Sequence, residues 1–188
     1  RVRQAVMDID SDHPGFKQKD IIQRHEHFIE YAFQHGAPVA GSSGAQGDAP
    51  KFLLTQDHHQ KWHADGALAD DKATKHWLVK MPRGNLQSDY AVLKNEAAYY
   101  HVAAELSLRV HTLPQFIDNT LFIERFDRHI NNHQVIRIGL ESLCSLAGVS
   151  EFGVHLPQLQ LCHAFMPHVT DPKTELMEFI KRDILNIA

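Results

Sequence analysis

A lysine inside an apolar strand constrains this chain more than any other feature. The segment "HWLVKMP" (76–82) has the apolar character of a buried strand that ends at a proline, and Lys80 lies within it. A buried ammonium group without a partner is costly. The fold must therefore bring an acidic group to Lys80, or leave this strand at a sheet edge, where a lysine protects against association.

The next helix along the chain offers such an acidic group. Residues 90–107 ("YAVLKNEAAYYHVAAELS") have helical spacing, with Ser88 or Asp89 as the N-cap. Glu96 is a carboxylate on an otherwise apolar stripe, which consists of Val92, Leu93, Ala97, Tyr100, Ala103 and Ala104. We predict that Glu96 faces the sheet and pairs with Lys80, although a phase shift of one residue would turn it to solvent.

Strand patterns and helix patterns occupy different parts of the chain, which predicts an α+β fold. A leading helical segment (1–37) precedes a sheet-rich part (38–138), and a helical part (139–188) follows. The leading segment contains a predicted helix at 17–35. The polar segment 57–75 is predicted to be a turn or an exposed hairpin anchored by Trp62. Strands are predicted at 51–56, 76–82, 111–117, 120–126 and 134–138, with a hairpin turn at "DN" (118–119).

Composition limits the class of protein. A net charge of −4 gives no electrostatic support for direct nucleic-acid binding. The longest apolar runs are too short for a membrane span, and Cys144 and Cys162 are predicted to be buried free thiols, as expected for a cytoplasmic protein. Fifteen histidines leave a metal-binding protein as a minor alternative. His129 and His133 have an i,i+4 spacing but lack the acid of a zinc motif, so we predict no metal site.

A loop of small residues precedes the first predicted strand. The run "GSSGAQGDA" (41–49) resembles a linker by composition, yet a loop without bulky side chains also lets backbone N–H groups approach phosphate oxygens. Lys80, Glu96 and then "LFIERFDR" (121–128) follow it in order. A strand lysine paired with a helix glutamate is the arrangement that protein kinases use for ATP phosphates. The ordered set supports a nucleotide site more strongly than any of its parts does alone.

Four segments together resemble the HipA-like serine/threonine kinases, which are the toxins of bacterial toxin–antitoxin pairs. They are "GSSGAQGDAPKFLL", "HWLVKMP", "NEAAYYHVAAELSL" and "LFIERFDR", and the similarity runs from about residue 35 to the end. The resemblance implies a protein-kinase-like fold, with a nucleotide lobe followed by the first helices of a helical lobe. It also implies ATP and Mg²⁺ as cofactors, a protein serine as substrate, and an antitoxin partner through which any DNA binding would be indirect.

The resemblance also implies roles for particular residues. Lys80 would contact the ATP phosphates, with Glu96 holding it, and the backbone of Glu124 and Phe126 would face adenine. Asp127 and Arg128 would hold the turn after that strand. The residues implied for the loop that covers the phosphates are Ser43, Gly44, Ala45 and Gln46, with Ser42 and Ser43 as candidates for a regulatory phosphorylation that expels the loop.

The catalytic loop of the family is not expected within this chain. No H-x-D-x-x-x-N run occurs. Asn131 and Asn132 follow a predicted strand, whereas the resemblance implies that the catalytic residues follow a helix like the last one. The last helical pattern, 172–188, continues to the final residue, so we expect the catalytic aspartate and the Mg²⁺ ligands beyond residue 188 and an inactive chain on its own. The alternative is a non-catalytic, kinase-like interaction module that binds a protein partner.

Overall fold

The computed structural model describes residues 13–38, 50–151 and 154–187. These residues fall into two compact units. The first lies within residues 1–101 and 111–137, and the second lies within 102–110 and 138–188. The fold class is α+β, as predicted, with an antiparallel sheet and helices. Within the described ranges, no helix combines the length and the apolar character needed to cross a membrane.

The first unit is built on a five-stranded antiparallel sheet with the order β2-β1-β3-β5-β4. A separate hairpin, β6-β7, follows it in the chain. The strands are β1 (Lys51–Asp57), β2 (Trp62–Ala64), β3 (Ala73–Lys80), β4 (Gln115–Ile117), β5 (Thr120–Glu124), β6 (Arg128–Asn131) and β7 (Gln134–Arg137). The helices that belong to this unit or begin in it are α1 (Gln18–Ile22), α2 (Glu26–Gln34) and α3 (Gln87–Glu105).

The two faces of the sheet carry different helices because successive strand side chains point to opposite sides. On one face, α1 and α2 contribute to the main core, whose largest members are Ile21, Phe28, Tyr31, Phe52, Leu54, Trp62, Trp77, Val79, Met81 and Phe122. On the other face, Leu93 and Ala97 of α3 pack with Leu121 of β5. Lys80 alternates with buried Val79 in β3 and therefore lies on the α3 side.

Two-residue turns close the β4-β5 and β6-β7 hairpins. Asp118 and Asn119 have φ values of 45° and 62°, and Asn132 and His133 have φ values of 48° and 60°. Positive φ at both central residues is the geometry of a type I′ turn, which matches the twist of the flanking strands. The predicted turn at Asp118 and Asn119 is therefore confirmed. The strand β6 was missed, because its residues show little of the apolar alternation that marks a strand.

One prediction about the first half was wrong, and another was correct only in part. The predicted helix 17–35 is interrupted at Arg24, which has a φ of 51° and separates α1 from α2. The segment 57–75 does contribute to a hairpin anchored by Trp62, but this hairpin is not exposed, because its strand β2 has three buried residues, Trp62, His63 and Ala64. Polar neighbours hid this strand in the sequence, and pairing with β1 determines its register.

The second unit is helical. It contains α4 (Leu143–Leu146), α5 (Gln158–Phe165) and α6 (Pro172–Ile187), so the predicted helical character after residue 139 is confirmed. The Phe165 and Phe179 rings pack 5.5 Å apart between centroids. A cleft of about 420 Å³ lies in this unit, with Leu143, Phe165 and Arg182 among its lining residues. Cys144 and Cys162 are free thiols, and both are half-buried instead of buried.

Candidate functional site

The structure brings Lys80 and Glu96 together, as the sequence pattern predicted. Lys80 is the last residue of β3, and its Nζ donates a hydrogen bond of 2.5 Å to Oε1 of Glu96 on α3. The two side chains are 19% and 28% exposed, so the ion pair is largely shielded but still reaches solvent. Glu96 faces the sheet because Leu93 and Ala97, one turn before it and one residue after it, pack on β5.

Backbone contacts fix the strand end that carries Lys80. The N–H of Met81 donates to the C=O of Pro50, and the guanidinium of Arg24 donates to the C=O of Pro82 at 2.6 Å. At the start of α3, the N–H of Leu86 donates to the Asp89 carboxylate. The chain that leads from the lysine to the glutamate helix is therefore tied down at both ends.

The end of β5 lies on the same sheet, next to β3. The N–H of Arg125 donates to the C=O of His76, so these two residues form a hydrogen-bonded position of the ladder. The backbone groups of the preceding residue, Glu124, then point away from β3. On that side β4 begins only at Gln115, opposite Phe122, so no residue of β4 lies across from Glu124. The Phe126 side chain is 56% exposed.

A polar network near the end of β5 links β1 and β3 to the residues that follow β2 and β5. Oδ1 of Asp65 accepts hydrogen bonds from the Thr55 hydroxyl at 3.0 Å and from Nδ1 of His76 at 2.9 Å. Its other oxygen accepts from Arg125 at 2.9 Å. Burial alone would raise the pKa of Asp65, but the His76 hydrogen bond and the Arg125 charge lower it to about 2. The carboxylate is thus held ionised among its partners.

Arg125 also binds the residue that ends the strand. Its guanidinium donates to both oxygens of Asp127, at 2.9 and 2.7 Å, and Arg128 donates to one of them at 2.7 Å. The hydrogen bond from Arg125 is the main reason that the pKa of Asp127 is lowered. Asp127 and Arg128 therefore hold the turn after β5, as predicted.

The letters of a D-x-H-x-x-N run do occur once in the chain, at Asp127, His129 and Asn132. In the structure they do not form a catalytic loop. The Asp127 side chain is only 6% exposed and its carboxylate is bound by two arginines, and Asn132 occupies the turn between β6 and β7. The run is part of a β-hairpin.

The remaining sequence assignments divide by location. Ser42, Ser43, Gly44, Ala45 and Gln46 lie outside the described residues. The Asp65 network was missed, because Asp65 lies in a segment that was predicted to be a turn or an exposed hairpin. In the described ranges, no group of three or more His, Cys, Asp or Glu side chains is arranged to hold a metal ion.

Acid unfolding tests the electrostatics of Asp65. Its folded-state pKa of about 2 lies below the ordinary value of 3.8, so its contribution to stability is complete above about pH 5 and is lost as the pH falls through 3.8 towards 2. The difference between these two pKa values corresponds to a contribution of about 2 kcal/mol to the free energy of unfolding. We expect urea unfolding to show that the wild-type chain loses about this much more stability than Asp65→Asn between pH 5 and pH 2.

Asp71→Asn is the matched control, because Asp71 is an exposed carboxylate on the same β2–β3 connection. Its acid profile is expected to follow that of the wild-type chain. Equal acid sensitivity of Asp65→Asn and the wild-type chain would contradict a paired, ionised Asp65.

Comparison with known protein families identifies one match. The family model described as the HipA-like C-terminal domain matches residues 42–188, which include Lys80, Glu96 and the end of β5. Neither a curated protein nor a solved structure matches the chain.

Proposed function

The chain belongs to the HipA-like C-terminal domain family, and we propose that it forms the ATP-binding part of a serine/threonine protein kinase. The observation that carries this proposal is the Lys80–Glu96 ion pair between β3 and α3. The same pairing of a strand lysine and a helix glutamate places the ATP phosphates in protein kinases. The order of the sheet, with β3 between β1 and β5, supports a protein-kinase-like nucleotide lobe.

Lys80 suits a role at a phosphate group. An ammonium group has three hydrogens, and one of them is directed to Glu96, so the others can reach phosphate oxygens. Glu96 offsets the cost of shielding the lysine and fixes the direction of its side chain. The loop residues Ser43, Gly44, Ala45 and Gln46 are proposed to cover the phosphates with backbone N–H groups, and Ser42 or Ser43 is proposed as a regulatory phosphorylation site.

The end of β5 suits recognition of adenine. The backbone N–H and C=O of Glu124 point away from β3 and lie beyond the end of β4. We propose that these groups and the backbone of Phe126 bind the adenine edge. Lys80 and the end of β5 lie on neighbouring strands, so one nucleotide can use both.

Phosphoryl transfer is proposed for the whole protein, with a protein serine as acceptor, Mg²⁺ as the metal and an antitoxin as partner. A base and metal ligands are required for this reaction. We assign neither within this chain, because the Asp127 carboxylate is held by Arg125 and Arg128. The function proposed for these residues is therefore nucleotide binding.

Calorimetric titration of the chain with Mg·ATP tests the proposal. We expect saturable binding at a single site, weakened about tenfold by Glu96→Gln, because the neutral side chain no longer holds Lys80 through an ion pair. Glu105→Gln, on an exposed part of α3, is the matched control and is expected to bind as the wild-type chain does. Absence of ATP binding by a folded chain would contradict the proposal and favour the interaction-module alternative.

A further inference from the structure

We propose that Arg125 is a positioning residue that holds the end of β5 in the geometry required to bind adenine. The inference rests on the proposed nucleotide site, and it assigns a role to a residue that does not itself face the ligand. It arises from the polar network in which Arg125 links Asp127 to Asp65. The hydrogen bonds to Asp127 alone would hold the turn after β5, but the network also reaches Asp65.

Arg125 is fixed through both its backbone and its side chain. Its N–H donates to the C=O of His76 at 2.8 Å. Its guanidinium, only 11% exposed, donates to Asp65 on one side and to both oxygens of Asp127 on the other. A planar fork is the group that satisfies two carboxylates at fixed angles.

The partners of Arg125 are themselves held. Asp65 is fixed by Thr55 of β1 and by His76 of β3, and the Thr55 hydroxyl and the His76 ring also approach within 3.1 Å. Thr55 and His76 are Cα partners in the β1–β3 ladder. The central strands of the sheet therefore determine where the Arg125 guanidinium lies.

The consequence falls on the residues that flank Arg125. Its backbone N–H faces β3, so the groups of Glu124 face the opposite side, where adenine binding is proposed. No residue of β4 pairs with Glu124 to hold it there. The hydrogen bonds of Arg125 to His76, Asp65 and Asp127, which we call the Arg125 clamp, fix the strand end instead. They act from the β3 side and leave the other side open for a ligand.

A stabilising role alone explains this arrangement poorly. Burying a charged cluster costs desolvation energy, and buried ion pairs are weak contributors to stability compared with apolar packing. Their geometric effect is strong, because each guanidinium hydrogen bond restrains an angle as well as a distance. The network is therefore better suited to fixing the direction of the backbone.

The test compares two ligands of the same chain, Mg·ATP and inorganic tripolyphosphate with Mg²⁺. In Arg125→Lys the charge remains but the fork is lost. We expect ATP affinity to fall about tenfold while tripolyphosphate affinity stays within about twofold of wild type, since only ATP uses the end of β5. Lys80→Ala is expected to weaken both ligands, and the exposed control Arg83→Lys is expected to change neither.

The outcomes separate this inference from the proposed function. If the wild-type chain does not bind ATP, the proposed site fails and Arg125 loses its role with it. If the wild-type chain binds ATP and a folded Arg125→Lys variant binds it equally well, the positioning role alone is overturned. An equal loss for both ligands also overturns it. Should Arg125→Lys not fold, Asp65→Asn removes the charge on the other side of the clamp and is expected to give the same selective loss.

Discussion

Replacing Lys80 with alanine is expected to weaken Mg·ATP binding by roughly 10- to 150-fold, the largest effect on affinity that we expect from a single substitution. Hydrogen bonds to charged groups contribute about 1.5–3 kcal/mol, which corresponds to this range. The effect arises because Lys80 is the ammonium group that Glu96 holds at the end of β3. Calorimetric titration of the folded variant, at the salt concentration used for the wild-type chain, gives the measurement.

Lys94→Ala is the matched control for Lys80→Ala. Lys94 is an exposed lysine on α3, so its removal changes the net charge by the same amount without touching the ion pair. We expect its ATP affinity to remain within about twofold of wild type, because screened surface charges contribute little. Similar losses in the two variants would show a general charge effect and would contradict the assigned site.

Replacing Phe28 with alanine is expected to lower the free energy of unfolding by about 3–5 kcal/mol. Phe28 lies on α2 and is only 1% exposed, and its ring centroid lies 5.5 Å from that of Phe16 and 5.7 Å from that of Phe52. The alanine variant loses this buried surface and leaves a cavity between α2 and the sheet. Urea unfolding monitored by tryptophan fluorescence measures the change, since Trp62 and Trp77 belong to the same core.

Phe33→Ala tests whether position in the core is what matters. Phe33 lies on the same helix but is 63% exposed, and its removal is expected to change stability by less than about 0.5 kcal/mol. Equal effects at both positions would contradict the packing of α2 on the sheet.

The result also bears on where the domain begins. Helices α1 and α2 precede residues 42–188, which match the family model, yet they contribute to the core of the five-stranded sheet.

The Lys80–Glu96 contact was predictable from the sequence because each residue violates a local pattern. A charge in an apolar strand and a charge on an apolar helix stripe both need partners, and the helix of Glu96 is the next predicted element after the strand of Lys80. The hairpin turn at Asp118 and Asn119 was predictable for a similar local reason, although its type was not. These features depend on residue type and spacing alone.

The Asp65 network was not predictable, because its members come together only through strand pairing. Asp65 and Arg125 are far apart in the chain, and neither violates its local pattern. The break between α1 and α2 was hidden for another reason. Arg24 adopts a left-handed conformation that glycine favours, and its side chain contacts the C=O of Pro82, a tertiary contact that helical periodicity does not contain.

Nuclear magnetic resonance tests the central claim, that ATP binds beside Lys80, Glu96 and the end of β5, most directly. Backbone amide resonances of the assigned chain are followed as Mg·ATP is added. The expected result is a set of saturable shifts concentrated at Lys80, at Glu96 and at residues 124–126, which Lys80→Ala reduces. Shifts confined to the second unit, such as those around the cleft near Arg182, or no shifts at all, would contradict the account.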